Sequence, residues 1–95
     1  MEILESRKVE DCFDGSSIQE LRLTSEISRD MILAMGAEGH LQYFEGFARP
    51  FFKIRVDGRF DVKGIEGSRT MRVHLKHPES YSLADLREFL RALQG

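Results

Sequence analysis

Between Phe51 and Lys76 the chain alternates apolar and polar residues with a period of two. Phe52, Ile54 and Val56 are interleaved with Phe51, Lys53, Arg55 and Asp57. Phe60 and Val62 continue the series, and Met71, Val73 and Leu75 alternate with Thr70, Arg72, His74 and Lys76. Such alternation is the mark of strands with one buried and one exposed face. Asp57-Gly58 and Glu66-Gly67-Ser68 supply the turns between the runs. Parity then fixes the register. A two-residue turn would set Val56 against Arg59, whereas a turn over 57–59 sets Val56 against Phe60 and Ile54 against Val62, which keeps the apolar face intact. The same register puts Arg55 opposite Asp61 on the polar face. A loop over 66–69 pairs Val62 with Val73 and Phe60 with Leu75. The pattern predicts a three-stranded antiparallel meander over about 51–56, 60–65 and 70–76.

Past Pro78 the period changes. Leu83, Leu86, Phe89, Leu90 and Leu93 recur at helical spacing behind Ser82, a good N-cap, with Asp85 in the first turn where an acid suits the helix dipole. A helix over 83–94 is predicted, its apolar stripe (Leu86, Phe89, Leu90) covering the apolar face of the meander. Leu21 and Leu23 alternate with Glu20 and Arg22, which reads as a strand over 18–24, and residues 1–13 offer another. Ser25 or Ser28 caps a helix near 26–39 that carries Ile27, Met31, Ala34 and Met35. Segment 40–48 has two solutions. Leu41, Phe44 and Phe47 suit a continuation of that helix to 48, ended by Arg49-Pro50, whereas Leu41, Tyr43 and Phe47 suit a strand. The helix is the preferred one. The expected fold is a two-layer α+β domain over residues 1–95, with helices on one face of an antiparallel sheet and the other face open.

Composition narrows the class without naming a function. A chain of 95 residues with 41% hydrophobic and 32% charged residues can bury a core without disulfides or metals. It has no apolar run of membrane-spanning length, no secretory leader at its start, and a single cysteine, Cys12. A cytoplasmic location is expected. The net charge of −2 conceals a division: residues 1–48 carry −6 and residues 49–77 carry +5. Either the two halves neutralise each other, or the basic segment has an anionic partner.

No catalytic, cofactor or metal signature stands out. There is no nucleophile elbow, zincin motif, Cys-x-x-Cys or dinucleotide fingerprint. His74 and His77 are three apart, on opposite sides of a strand, and Cys12 lies among acids that disfavour a thiolate. His40, His74 and Arg69 are the residues an unmarked activity would use. Ile65 to Thr70 could hold an anion on its turn amides, or simply be a hairpin turn.

Two surfaces remain. Five of the nine Phe and Tyr residues fall within 43–52 and cannot share one face of one element. Tyr43, Phe44, Phe47, Arg49 and Phe51 are therefore the candidate protein interface, for an unidentified partner or a second copy of this chain. The polar face of the meander gathers Lys53, Arg55, Lys63, Arg72, His74 and Lys76, with Arg59 nearby and Phe51 at its rim. Cations beside a ring are what a single-stranded nucleic acid or other polyanion needs. The expected function is a non-enzymatic binding or accessory domain acting through the aromatic segment, with polyanion binding as the alternative.

Overall fold

The computed structural model describes residues 2–11 and 16–94, so Cys12 lies outside the described residues. Six strands, β1 (Ile3–Asp11), β2 (Ser17–Leu23), β3 (His40–Phe44), β4 (Phe51–Val56), β5 (Phe60–Ile65) and β6 (Thr70–Leu75), form one antiparallel sheet in the order β1-β2-β6-β5-β4-β3. Two helices, α1 (Arg29–Gly36) and α2 (Leu83–Gln94), complete an α+β architecture. The chain lays a hairpin along one edge, crosses the core face through α1, and returns from the opposite edge as a meander whose last strand pairs with β2.

The expected meander is present as β4, β5 and β6, embedded in a wider sheet. Val56 opposes Phe60, Ile54 opposes Val62, Val62 opposes Val73, and Phe60 opposes Leu75. Both turns contain a glycine in the left-handed region, Gly58 (φ +75°) and Gly67 (φ +87°), where a Cβ would be strained. Arg59 N–H donates to the Val56 carbonyl, closing the first turn at 3.1 Å.

Three expectations are corrected. Among the described residues the sheet has six strands: the strands expected over 1–13 and 18–24 are present as the β1–β2 hairpin on one side of the meander, and β3 adds an unexpected strand on the other. The first helix spans 29–36 and not 26–39. Its start is set by Ser28, whose Oγ accepts the Met31 N–H at 3.1 Å. Ile27 instead lies outside any helix or strand, buried against the β5–β6 turn: its N–H donates to the Ser68 carbonyl and its own carbonyl accepts the Gly67 N–H, each at 2.8 Å. Nor does the helix continue to 48, since residues 40–44 are the edge strand β3. Replacing Ser28 with Ala should cost about 1 kcal/mol, read as a lower denaturant midpoint at unchanged slope.

The core fills one side of the sheet. Leu21, Leu23, Phe52, Ile54, Val56, Phe60, Val62, Met71, Val73 and Leu75 meet Ile32 and Met35 of α1 and Leu86 and Leu90 of α2 in one buried cluster. Phe89 is half-buried with its ring edge-on to Phe60, centroids 5.4 Å apart. Helix α2 begins with a reciprocal cap: Asp85 accepts the Ser82 N–H at 2.8 Å while Ser82 Oγ faces the Asp85 N–H at 3.5 Å. Among the described residues no helix is long and apolar enough to cross a membrane.

Candidate interaction surface

Register decides what the open face presents. Tyr43 opposes Phe52 and Phe44 opposes Phe51, so Leu41 and Tyr43 turn toward the core side while Phe44 and Phe51 turn away from it. Phe51 in turn opposes Ile65 of β5. Phe44 and Phe51 stack with centroids 4.4 Å apart and planes inclined by 19°, and Phe47 leans on Phe51 at 5.2 Å. All three rings are exposed, Phe47 at 59%, and Ile65 adds to the same patch. Arg49, in the loop between β3 and β4, is exposed beside them. Tyr43, expected among the exposed rings, is half-buried at the core's edge. Its hydroxyl donates to the Glu66 carboxylate and the Arg29 guanidinium lies 5.5 Å from its ring centroid. That ring tethers α1 to the sheet.

One row further along the strands, Lys53, Lys63 and Arg72 occupy registered positions on β4, β5 and β6. Glu20 and Arg7 continue the row, with Arg7 to Glu20 at 3.2 Å and Arg72 to Glu20 at 3.8 Å. Among the described residues no carboxylate pairs with Lys53 or Lys63, and both are exposed. The remaining candidates on this face are more occupied. Arg55 pairs with Asp57 at 3.1 Å, Lys76 with Asp61 at 3.1 Å, and His74 Nε2 lies 2.8 Å from Ser16 Oγ. Arg55 and Asp61 are direct cross-strand neighbours, as expected, but each side chain pairs elsewhere. The Asp57 carboxylate at the hairpin turn is the nearer partner for Arg55, and it also meets His40 at 3.4 Å.

Self-neutralisation is therefore local. The acidic half pairs largely within itself, as in Arg22 with Glu5 at 3.3 Å, and leaves the centre of the basic face uncompensated. Two hollows flank the Lys63–Arg72 ridge. One of about 400 Å³ is bounded by Arg49, Phe51, Ile65 and Thr70, and one of about 300 Å³ by Ile18, Lys53, Asp61 and His74.

The 65–70 turn does not form an anion nest. The Glu66 N–H donates to the Pro50 carbonyl, the Gly67 N–H to Ile27, the Ser68 N–H to Ile65 and the Thr70 N–H to Ser68 Oγ, so these amides are engaged within the protein. Arg69, exposed beside them, contributes its carbonyl to the Leu23 N–H at 2.7 Å. His40 and His74 stand on the same row of the open face but three strands apart, roughly 14 Å at the usual strand spacing. Among the described residues there is no group of three or more His, Cys, Asp or Glu side chains that could hold a metal ion. The Tyr81 phenol is pushed above its ordinary pKa by burial, opposed by the Arg59 charge, and its ring stacks on Phe60 away from the open face.

Sequence reasoning missed Ile65 as part of the surface. Its signal was available: an apolar residue in the parity of Lys63 on a strand whose other apolar residues point inward. No family model matches this chain, and no match is found among curated proteins or solved structures.

Proposed function

We propose that this protein is a non-enzymatic binding module that docks a protein partner through Phe44, Phe47 and Phe51, with Arg49 at the rim. The observation that carries this reading is the cluster of three exposed rings at an open sheet face, reinforced by Ile65. Clustered aromatics next to an arginine are the composition of an interface hot spot, and contiguous exposed apolar surface is uncommon without such a use. The test compares proteins co-purifying from cells of the source organism with the wild type, with a Phe44→Ser/Phe47→Ser variant, and with Leu33→Ser. Leu33 is an exposed apolar residue on α1, outside the patch. The Phe variant should lose partners that Leu33→Ser retains, while both keep the wild-type circular dichroism spectrum. Identical partner sets for all three would refute the reading.

A second reading, binding of single-stranded nucleic acid or another polyanion, is favoured by the row of Lys53, Lys63 and Arg72, whose two lysines have no carboxylate partner among the described residues. It requires affinity for a thymidine oligonucleotide that falls steeply with salt and weakens in Arg55→Ala/Arg72→Ala. Absence of binding at ~50 mM salt would remove it.

A further inference from the structure

We infer that the segment received by the open face is an acidic peptide: an extended stretch of Asp or Glu residues carrying at least one large apolar side chain. This inference rests on the protein-binding reading and adds the partner's chemistry to it. Neighbouring strands lie about 4.8 Å apart, so the registered Lys53, Lys63 and Arg72 place three cations within about 10 Å. Like charges this close repel unless a counter-charge arrives. Among the described residues Glu20 is the acid paired with this row, and it is shared between Arg72 and Arg7. A partner carrying carboxylates supplies what is lacking. The hollow on one side of the ridge joins three cations, Arg49, Lys63 and Arg72, and one acid, Glu20, to the apolar walls Phe51 and Ile65, so its lining keeps a net positive charge. An apolar side chain anchored there brings the neighbouring carboxylates over the lysines.

The alternatives fit less well. Successive nucleobases need ring faces spaced along a strand, whereas Phe44, Phe47 and Phe51 are packed against one another as one apolar cluster. A second copy docked face to face would oppose Lys53, Lys63 and Arg72 to the same cations, which like-charge repulsion disfavours.

Fluorescence anisotropy on the full chain carrying an amine-terminal dye tests the assignment with three probes: a random copolymer of Glu and Tyr, a Glu-only polymer of equal length, and a thymidine oligonucleotide. The copolymer should bind most tightly. Lys53→Glu/Lys63→Glu should weaken it at least tenfold, and Phe44→Ser/Phe47→Ser should do likewise. Raising salt should weaken the wild type and leave the charge-reversed variant nearly insensitive. Three results would overturn the inference: no binding of the copolymer, binding no tighter than that of the Glu-only polymer, or an oligonucleotide that outcompetes it. Charge reversal without effect, alongside continued loss of natural partners in the Phe variant, would remove the acidic assignment and leave the docking surface standing.

Discussion

Val62→Asp should remove a large part of the stability of the fold near neutral pH. Val62 is 1% exposed in the middle of β5, between Ile54 and Val73, beneath the helices. Removing its side chain forfeits about 1.5–3 kcal/mol of apolar burial. The incoming carboxyl has no partner on that face, and it must either stay charged in an apolar site or take up a proton at neutral pH. Together these cost about 5 kcal/mol, against a total of about 5–14 kcal/mol for a protein of this length. The pH dependence identifies the cause. A carboxyl whose folded pKa is raised binds more protons folded than unfolded, so its penalty is smallest below the unfolded pKa of about 4 and grows as pH rises toward the folded value. Urea denaturation of Val62→Asp and Val62→Asn should show a gap that opens by up to about 1.4 kcal/mol per pH unit above pH ~4. A gap independent of pH would show that the Asp side chain reaches solvent. Lys63→Asp, one residue away on the open face, should change stability by no more than about 0.5 kcal/mol.

The contrast between those two positions was legible in the sequence, because inner strands with one buried face carry their parity in the residues themselves. Phe52, Ile54, Val56, Phe60, Val62, Met71, Val73 and Leu75 are all inward, and the turn lengths follow from keeping them so. Edge strands carry less of this signal. Only Ile3 of β1 is buried among its described side chains, and two register shifts, between Ile3 and Glu5 and between Lys8 and Glu10, interrupt any single parity. Strand β3 misleads more actively. Leu41 and Tyr43 point inward while Phe44 belongs to the outer patch, so Leu41 and Phe44 mimic the three-residue step of a helix. The candidate surface inherited that ambiguity. Lys53, Lys63 and Arg72 could be placed side by side from parity alone. The stacking of Phe44 on Phe51 needs the β3–β4 register, which local periodicity does not contain. Nor did parity reveal which cations would be neutralised, since Arg55 turns to Asp57 along its own hairpin and not to Asp61 across it.

What settles residues 40–44 as a strand lies partly at Gly39, and substitution there should be costly. A Cβ built on Gly39 would sit 2.3 Å from the Arg55 carbonyl oxygen and 3.0 Å from Val56 Cγ2. The first of these is backbone of β4, held in the ladder by β3 on one side and β5 on the other. It has little freedom to withdraw. Gly39 is also the residue that turns the chain from α1 into β3, its N–H donating to the Gly36 carbonyl at 3.2 Å. Ala at this position must push β3 away from β4 or distort that turn, at about 3 kcal/mol. For a protein of this size the melting temperature should fall by roughly 12–24 °C. Gly46→Ala is the matched control, since a Cβ there meets nothing within 4 Å and the glycine has no positive φ. It should be neutral or stabilise by up to about 1 kcal/mol through the unfolded chain. If Gly39→Ala melted with Gly46→Ala, the close approach of the helix-to-strand turn to β4 would be wrong. The pairing of Phe44 with Phe51 would then lose its anchor, because the same turn positions His40 against Arg55 and sets the register of every ring beyond it.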